Sequence, residues 1–78
     1  MLKEEHFTEA GIQFELAANF YKKAHEYHLI GEYEKSALEV QKAVAHHKKA
    51  EFHNSQVVKL NTIINSTSRE LKANLTGN

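Results

Sequence analysis

The amino-acid sequence predicts an all-α protein, a single helical domain over residues 1–78 that is built as one long hairpin. Three observations predict this fold: the chain lacks proline, one glycine lies between two long runs, and apolar residues recur at three- and four-residue steps within each run. Proline-free runs rich in Ala, Glu, Lys and Leu favour helix. We therefore expect helices at about residues 3–30 and 33–74.

The first helix carries a seam in which large and small residues alternate. The seam consists of Phe7, Ala10, Phe14, Ala17, Tyr21, Ala24 and His28. This spacing is that of the a and d positions of a coiled coil. Leu16, Phe20 and Tyr27 form a second apolar stripe beside the seam. Because the apolar face is so wide, we expect two neighbouring helices to cover it.

Gly31 is the predicted turn between the helices. It follows the apolar pair Leu29-Ile30 and precedes Glu32 and Glu34. Glycine suits the left-handed residue that ends a helix, and carboxylates are favoured in the first turn of the next one. The other glycine within a periodic stretch, Gly11, is expected to allow another helix to approach closely.

The second helix holds a seven-residue repeat with one apolar and one polar column. The apolar d-type positions are Ala43, Ala50, Val57, Ile64 and Leu71, and the a-type column contains His47, Asn54, Asn61 and Ser68. Polar residues in such a column set the register and the number of partners, at some cost in stability.

The two helices differ in length, so part of the second lacks a partner within the chain. If the chain turns at Gly31, residue n lies opposite about residue 62 − n, and about 15 residues at the end of helix two are left uncovered. A second subunit would cover them in an antiparallel four-helix bundle. Alternatively, a break near Asn54-Ser55, whose residue types suit an N-cap, would give a three-helix bundle. Thr67-Ser68-Arg69-Glu70 fits a capping box and is a further candidate restart.

The composition excludes several classes of protein. Ten Lys and Arg balance ten Glu, which argues against a dedicated nucleic-acid binder with a concentrated basic face. Without cysteine, neither disulfides nor thiolate metal sites are available. No run of about 18 apolar residues suggests a membrane span, and the first residues lack the apolar core of a signal peptide. We therefore expect a cytoplasmic protein.

The six histidines are the most unusual feature of the composition. The candidate metal ligands are His25 and His28 in helix one and His46 and His47 in helix two, with His53 and Glu51 nearby. Neutral imidazoles three residues apart on one helix face can share an ion. His47 should lie opposite about residue 15, roughly 20 Å from His28 at 1.5 Å per residue. One chain therefore cannot bring both groups to one ion, and a second subunit would have to contribute.

No arrangement of residues indicates catalysis. The chain has no cysteine and no aspartate, so neither a Ser-His-Asp nor a Cys-His arrangement can be assembled. A glycine-rich phosphate loop is also missing. We expect no enzyme activity and no cofactor.

Two known helical families resemble parts of the chain. Residues 17–50 resemble a single tetratricopeptide unit, and the residues that carry this likeness are Phe20, Ala24, Tyr27, Gly31, Tyr33 and Ala43. The stretch GEYEKSALEVQKAV is similar to the turn and following helix of the microtubule-interacting and trafficking domain. That second resemblance implies a three-helix unit that binds a partner's helix in a groove.

A third resemblance covers residues from about Phe14 to His53, where the chain looks like short bacterial helical proteins rich in Ala and His. The matching residues are Ala17, Ala18, Phe20, Tyr21, Ala24, Gly31 to Lys35, Ala37, Ala43, His46, His47, Ala50 and His53. This resemblance implies a helical hairpin and no particular activity.

The expected function is that of a non-enzymatic structural or interaction protein that forms a homodimer or a higher homo-oligomer. The residues expected at the core and interface are Phe7, Phe14, Tyr21, His47, Asn54, Val57, Asn61, Ile64 and Leu71. One alternative is a three-helix module that binds a partner's amphipathic helix. A second alternative is metal binding by the histidines across subunits.

Overall fold

A computed structural model shows two helices that pack side by side, α1 (Lys3–Leu29) and α2 (Tyr33–Leu75). The structure describes the backbone of residues 1–75 and the side chains of residues 1–62. Within that part of the chain there is no strand, so the predicted all-α hairpin is confirmed. The helices contain 27 and 43 residues, which confirms their predicted difference in length.

The turn at Gly31 ends α1 in the way that the sequence predicts. Gly31 has φ +80°, a left-handed conformation that favours glycine. Its N–H donates to the carbonyl oxygen of His28 (3.1 Å), and the N–H of Glu32 donates to that of Tyr27 (2.9 Å). These two bonds form a Schellman motif, which satisfies carbonyl groups that the end of a helix leaves free. The chain can therefore reverse within three residues.

α2 passes through Asn54 and Ser55 without a break, so the alternative three-helix bundle is wrong. An N-cap hydroxyl accepts a hydrogen bond from an N–H two or three residues later. The Ser55 hydroxyl instead donates back to the carbonyl oxygen of Phe52 (2.7 Å), and Thr62 bonds in the same way to Val58 (2.9 Å). Such back-bonding is compatible with a continuing helix. The helix also spans residues 67–70, although the side chains of that proposed capping box lie outside the described ones.

Three contacts between the helices define the register of the hairpin. His6 pairs with His53, Gln13 with His46, and Ala24 with Ser36, so the residue numbers in a pair add to 59 or 60. This register differs from the expected one by two or three residues. The start of α1 lies opposite about residue 57, and α2 extends for about 18 residues, or 27 Å, beyond it.

Small residues form the contact between the helices. The buried apolar residues, which we call the alanine column, are Ala10, Ala17 and Ala24 of α1 and Ala43, Ala50 and Val57 of α2. Each set repeats every seven residues. Among the described residues no large side chain is fully buried. Small side chains allow two helices to approach closely, but each removes little apolar area from water.

The hairpin uses only half of the seam that the sequence predicts for α1. Ala10, Ala17 and Ala24 are buried, whereas Phe7, Phe14 and Tyr21 remain 53%, 40% and 44% exposed. The large members of the seam therefore lie beside the contact between the helices and not within it.

The molecule is a single layer of helices. Its Cα atoms extend over 68 × 20 × 12 Å, with a radius of gyration of 19.5 Å. A compact domain of this length would have a radius of gyration of about 11.5 Å. Neither described helix combines the length and apolar character that crossing a membrane requires.

Candidate functional site

Two columns of side chains flank the alanine column, one on each side of the hairpin. On the side that we call closed, the column contains His6, Gln13, Phe20 and Tyr27 of α1 and Glu39, His46, His53 and Leu60 of α2. On the opposite side, which we call open, it contains Phe7, Phe14, Tyr21 and His28 of α1 and Val40, His47, Asn54 and Asn61 of α2. Each set repeats every seven residues, so it follows one face of its helix.

Contacts between the helices cover the closed side. The Nδ1 atoms of His6 and His53 lie 2.9 Å apart, and Nδ1 of His46 lies 2.6 Å from Oε1 of Gln13. The Phe20 ring stacks on the His46 ring, with centroids 5.4 Å apart and planes 10° from parallel. All eight residues of this side are buried or half-buried. The rings of the closed side are therefore covered by contacts within one chain.

Long charged side chains extend the closed side towards solvent. Nζ of Lys42 bonds to Oε1 of Glu39 (3.1 Å) and lies 5.6 Å from the centre of the Phe20 ring. Lys35 lies over Tyr27 in the same way, at 5.8 Å. The second oxygen of Glu39 is buried and has no hydrogen-bond partner among the described residues. A buried carboxylate among lysines makes this side a poor site for another apolar surface.

The open side has few contacts between the helices. The Phe14 ring meets His47 edge-on, with centroids 5.8 Å apart. Nε2 of His47 bonds to Oε1 of Glu51 (2.7 Å), which lies on the same helix. His47 and Asn61 are half-buried, and the other six residues of this side are exposed. Apolar rings and polar groups thus face solvent together along one side.

The borders of the two sides differ in charge and in size. On each helix, the positions beside the open column and further from the alanine column form what we call the border of the open side. This border contains Glu4, Gly11, Ala18, His25, Ala37, Val44, Glu51 and Val58. The corresponding border of the closed side contains Leu2, Glu9, Leu16, Lys23, Lys35, Lys42, Lys49 and Gln56. The first border includes three small residues, Gly11, Ala18 and Ala37, and no Lys or Arg, whereas half of the second border is lysine. A Cβ added at Gly11 would meet nothing within 4 Å, so space remains beside α1 there.

The structure separates the four histidines named as metal ligands. His25 and His28 are exposed near the turn, and His28 meets the edge of Tyr33. His46 lies on the closed side and His47 on the open side, and each is bonded to a different partner. The contact of His47 with Phe14 agrees with the expected position opposite about residue 15. Among the described residues no group of three or more metal-ligating side chains comes together.

The residues named for the core and interface occupy three kinds of position. Val57 is buried in the alanine column. Phe7, Phe14, Tyr21, His47, Asn54 and Asn61 lie on the open side. Ile64 and Leu71 lie outside the described side chains.

Sequence reasoning missed the pairs on the closed side. It treated Phe20 and Tyr27 as a stripe but did not connect them with His6 and Gln13, which continue the same seven-residue spacing. His46 and His53 are also seven residues apart, on the helix that faces them. This shared spacing is the signal that could have placed the two columns opposite each other.

Comparison of the chain with protein-family models, with curated proteins and with solved structures finds no match.

Proposed function

We propose that this protein is a non-enzymatic structural or interaction protein that self-associates through its open side. A second copy of the hairpin would cover that side and complete an antiparallel four-helix bundle. The observation that carries this proposal is the column of exposed rings at Phe7, Phe14 and Tyr21, set in a border that has no lysine or arginine.

The available area matches that of a stable dimer. α1 has 27 residues and is therefore about 40 Å long, and the hairpin is 20 Å wide. The face shared by the two helices thus measures about 800 Å², the area that each partner buries in a typical stable interface. At 150–250 Å² per ring, the three half-exposed aromatic residues alone would bury about 300 Å².

The open side is complementary to itself, which favours a second copy over an unrelated partner. It presents large rings in one column and small residues, Gly11, Ala18 and Ala37, in the borders beside it. Two copies related by a twofold axis place the same surface against itself. The rings of one copy would then pack against the small residues of the other, as knobs pack into holes.

Polar residues on the open side would set the geometry of the dimer. His47, Asn54 and Asn61 form the polar column of α2 and recur at seven-residue intervals on the open side. Burying such groups stabilises only those arrangements in which they find hydrogen-bond partners. They would therefore select one register and one number of partners.

The test is the molar mass in solution, measured by light scattering on a sizing column over about a hundredfold range of concentration. We expect the wild-type protein to be a dimer and Phe14→Lys to be a monomer, because the lysine would place a charge in an apolar interface. Ile12→Lys is the matched control: Ile12 is 45% exposed and Phe14 40%, but Ile12 lies on the outer face of α1. This control should remain a dimer.

Two results would contradict the proposal. In one, Phe14→Lys remains as fully associated as the wild-type protein. In the other, the wild-type protein stays monomeric at every concentration, which would instead favour a partner's amphipathic helix as the occupant of the open side. Ile64→Lys is also expected to abolish association, through the part of α2 that extends beyond α1.

A further inference from the structure

The only pair of imidazoles that face each other across the described part of the hairpin is His6 with His53. Their Nδ1 atoms lie 2.9 Å apart, the rings are tilted by 43°, and His6 is only 8% exposed. In the neutral pair, one ring donates its N–H and the other accepts with its lone pair. The pair thus holds two strong metal-ligand atoms at a fixed separation.

This separation suits a particular geometry of coordination. Two nitrogens that each lie about 2.0–2.1 Å from an ion and about 2.9 Å from each other subtend an angle of about 90° at that ion. A right angle is the cis angle of square-planar and tetragonal coordination, which Cu²⁺ and Ni²⁺ prefer. A tetrahedral zinc ion would require the nitrogens to be about 3.3 Å apart.

The surroundings of the pair would hold both rings in place. The Phe52 ring meets His6 and His53 edge-on, with centroids 6.3 Å and 5.2 Å away. Each histidine belongs to a different helix, and 47 positions separate them in the sequence. Ordered, pre-positioned ligands lose less conformational entropy when an ion binds.

We propose that His6 and His53 form a binding site for a divalent copper or nickel ion, held by their two Nδ1 atoms. In the complex each neutral ring carries its proton on Nε2, and the two rings turn so that both Nδ1 lone pairs face an ion lying to one side of the line between them. Water fills the remaining positions, since the described residues offer no third ligand there. It joins the two helices at the end of the hairpin far from the turn. The site lies within one chain on the closed side, so it goes beyond self-association and does not depend on it.

The first measurement is the melting temperature of the full chain with and without NiCl₂ or CuCl₂, at neutral pH and fixed protein concentration. A ligand that binds only the folded state at about 100 times its Kd raises the melting temperature of a chain this small by on the order of 10 °C. Calorimetric titration should give one ion per chain. The electron paramagnetic resonance spectrum of the Cu²⁺ complex should show two nitrogen ligands.

Variants identify the ligands. Loss of a residue that only orients a metal ligand weakens metal binding by roughly 10–100-fold. His6→Ala and His53→Asn each remove a ligand itself, so each should weaken metal binding by more than that. The asparagine can still accept the hydrogen bond of His6, so the helix content of His53→Asn, measured by circular dichroism, should stay that of the wild type. The double variant His25→Ala with His28→Ala is the matched control and should bind as tightly as the wild-type protein.

Four results would overturn the site. The first is an unchanged melting temperature of the wild-type protein in excess metal. The second is full metal affinity in both His6→Ala and His53→Asn, and the third is a stoichiometry of one ion per two chains. Loss of binding only in the His25, His28 double variant would likewise overturn it and transfer the site to the pair near the turn. Because sizing is measured separately, failure of the metal site leaves the test of self-association intact.

Discussion

The closed and open sides of the hairpin have the same arrangement of columns but differ in how far their aromatic rings are buried. Both flank one alanine column, and both carry an aromatic ring opposite a histidine. On the closed side Phe20 lies flat on His46 and beneath Lys42, and it is half-buried. On the open side Phe14 and His47 meet edge to face, and Phe14 stays 40% exposed.

The difference follows from what surrounds the two rings. Lysines border the closed side, and their long aliphatic chains can cover a ring while the charge remains in water. Three of the eight residues that border the open side, Gly11, Ala18 and Ala37, are too short to cover a ring, and none of the eight is Lys or Arg. This hairpin thus covers one side with its own side chains, whereas the rings of the other side stay exposed in the single chain.

The alanine column supports both sides, so the largest effect should come from enlarging one of its residues. Ala43 is 0% exposed, and Ala43→Leu should force the helices apart and lower the free energy of unfolding by about 1–3 kcal/mol. Ala45→Leu, at an exposed position two residues away, should change it by less than about 0.5 kcal/mol. Urea unfolding at one protein concentration measures both. Equal losses in the two variants would contradict the alanine contact.

An intermediate effect is expected from breaking a polar contact of the closed side alone. Gln13→Ala removes the acceptor of the 2.6 Å bond to His46, which should lower the free energy of unfolding by about 1 kcal/mol. The corresponding fall in melting temperature is about 4–8 °C, whereas the molar mass should not change. Gln41→Ala, at an exposed position, is the control and should melt within about 2 °C of the wild-type protein. A Gln13 variant that dissociates without losing stability would reverse the roles given to the two sides.

The smallest effect should come from the polar column of the open side. Asn54→Val should tighten association by less than about tenfold and broaden the distribution of molar masses, because a polar residue that selects one arrangement is lost. Asn19→Val is the control, because Asn19 is exposed on the outer face of α1, and it should leave the molar mass unchanged. A single, unaltered dimer in the Asn54 variant would show that this residue does not set the register.

Much of the hairpin could be predicted because its determinants are local. The turn needs a left-handed residue, and Gly31 is the one glycine between two helical runs. The register follows from the position of that turn, which is why the expected pairing came within three residues of the observed one. The break proposed at Asn54-Ser55 was wrong because an N-cap residue type is compatible with a helix interior, where the Ser55 hydroxyl bonds back to Phe52.

The candidate site was harder to predict because three neighbouring columns share one period. His6 and Phe7 lie on either side of the alanine column, and each begins a seven-residue repeat that includes aromatic rings. Periodicity locates the apolar face of a helix but does not say which of two adjacent columns the partner helix covers. For this reason the pairing of His6 with His53 was missed, while Phe7, Phe14 and Tyr21 were assigned to a seam that the hairpin itself leaves open.

By itself the sequence determined the helical class, the turn at Gly31 and the approximate register, but it left open whether the second helix is broken near Asn54-Ser55. These features depend on helix propensity, on one residue with positive φ, and on counting along the chain. Only the tertiary structure decided that the alanine column forms the contact, that the side bordered by lysines closes, and that the side whose border has no Lys or Arg stays exposed in the single chain. That choice depends on how far the helices rotate about their axes as they pack, which the shapes of all the facing side chains determine together.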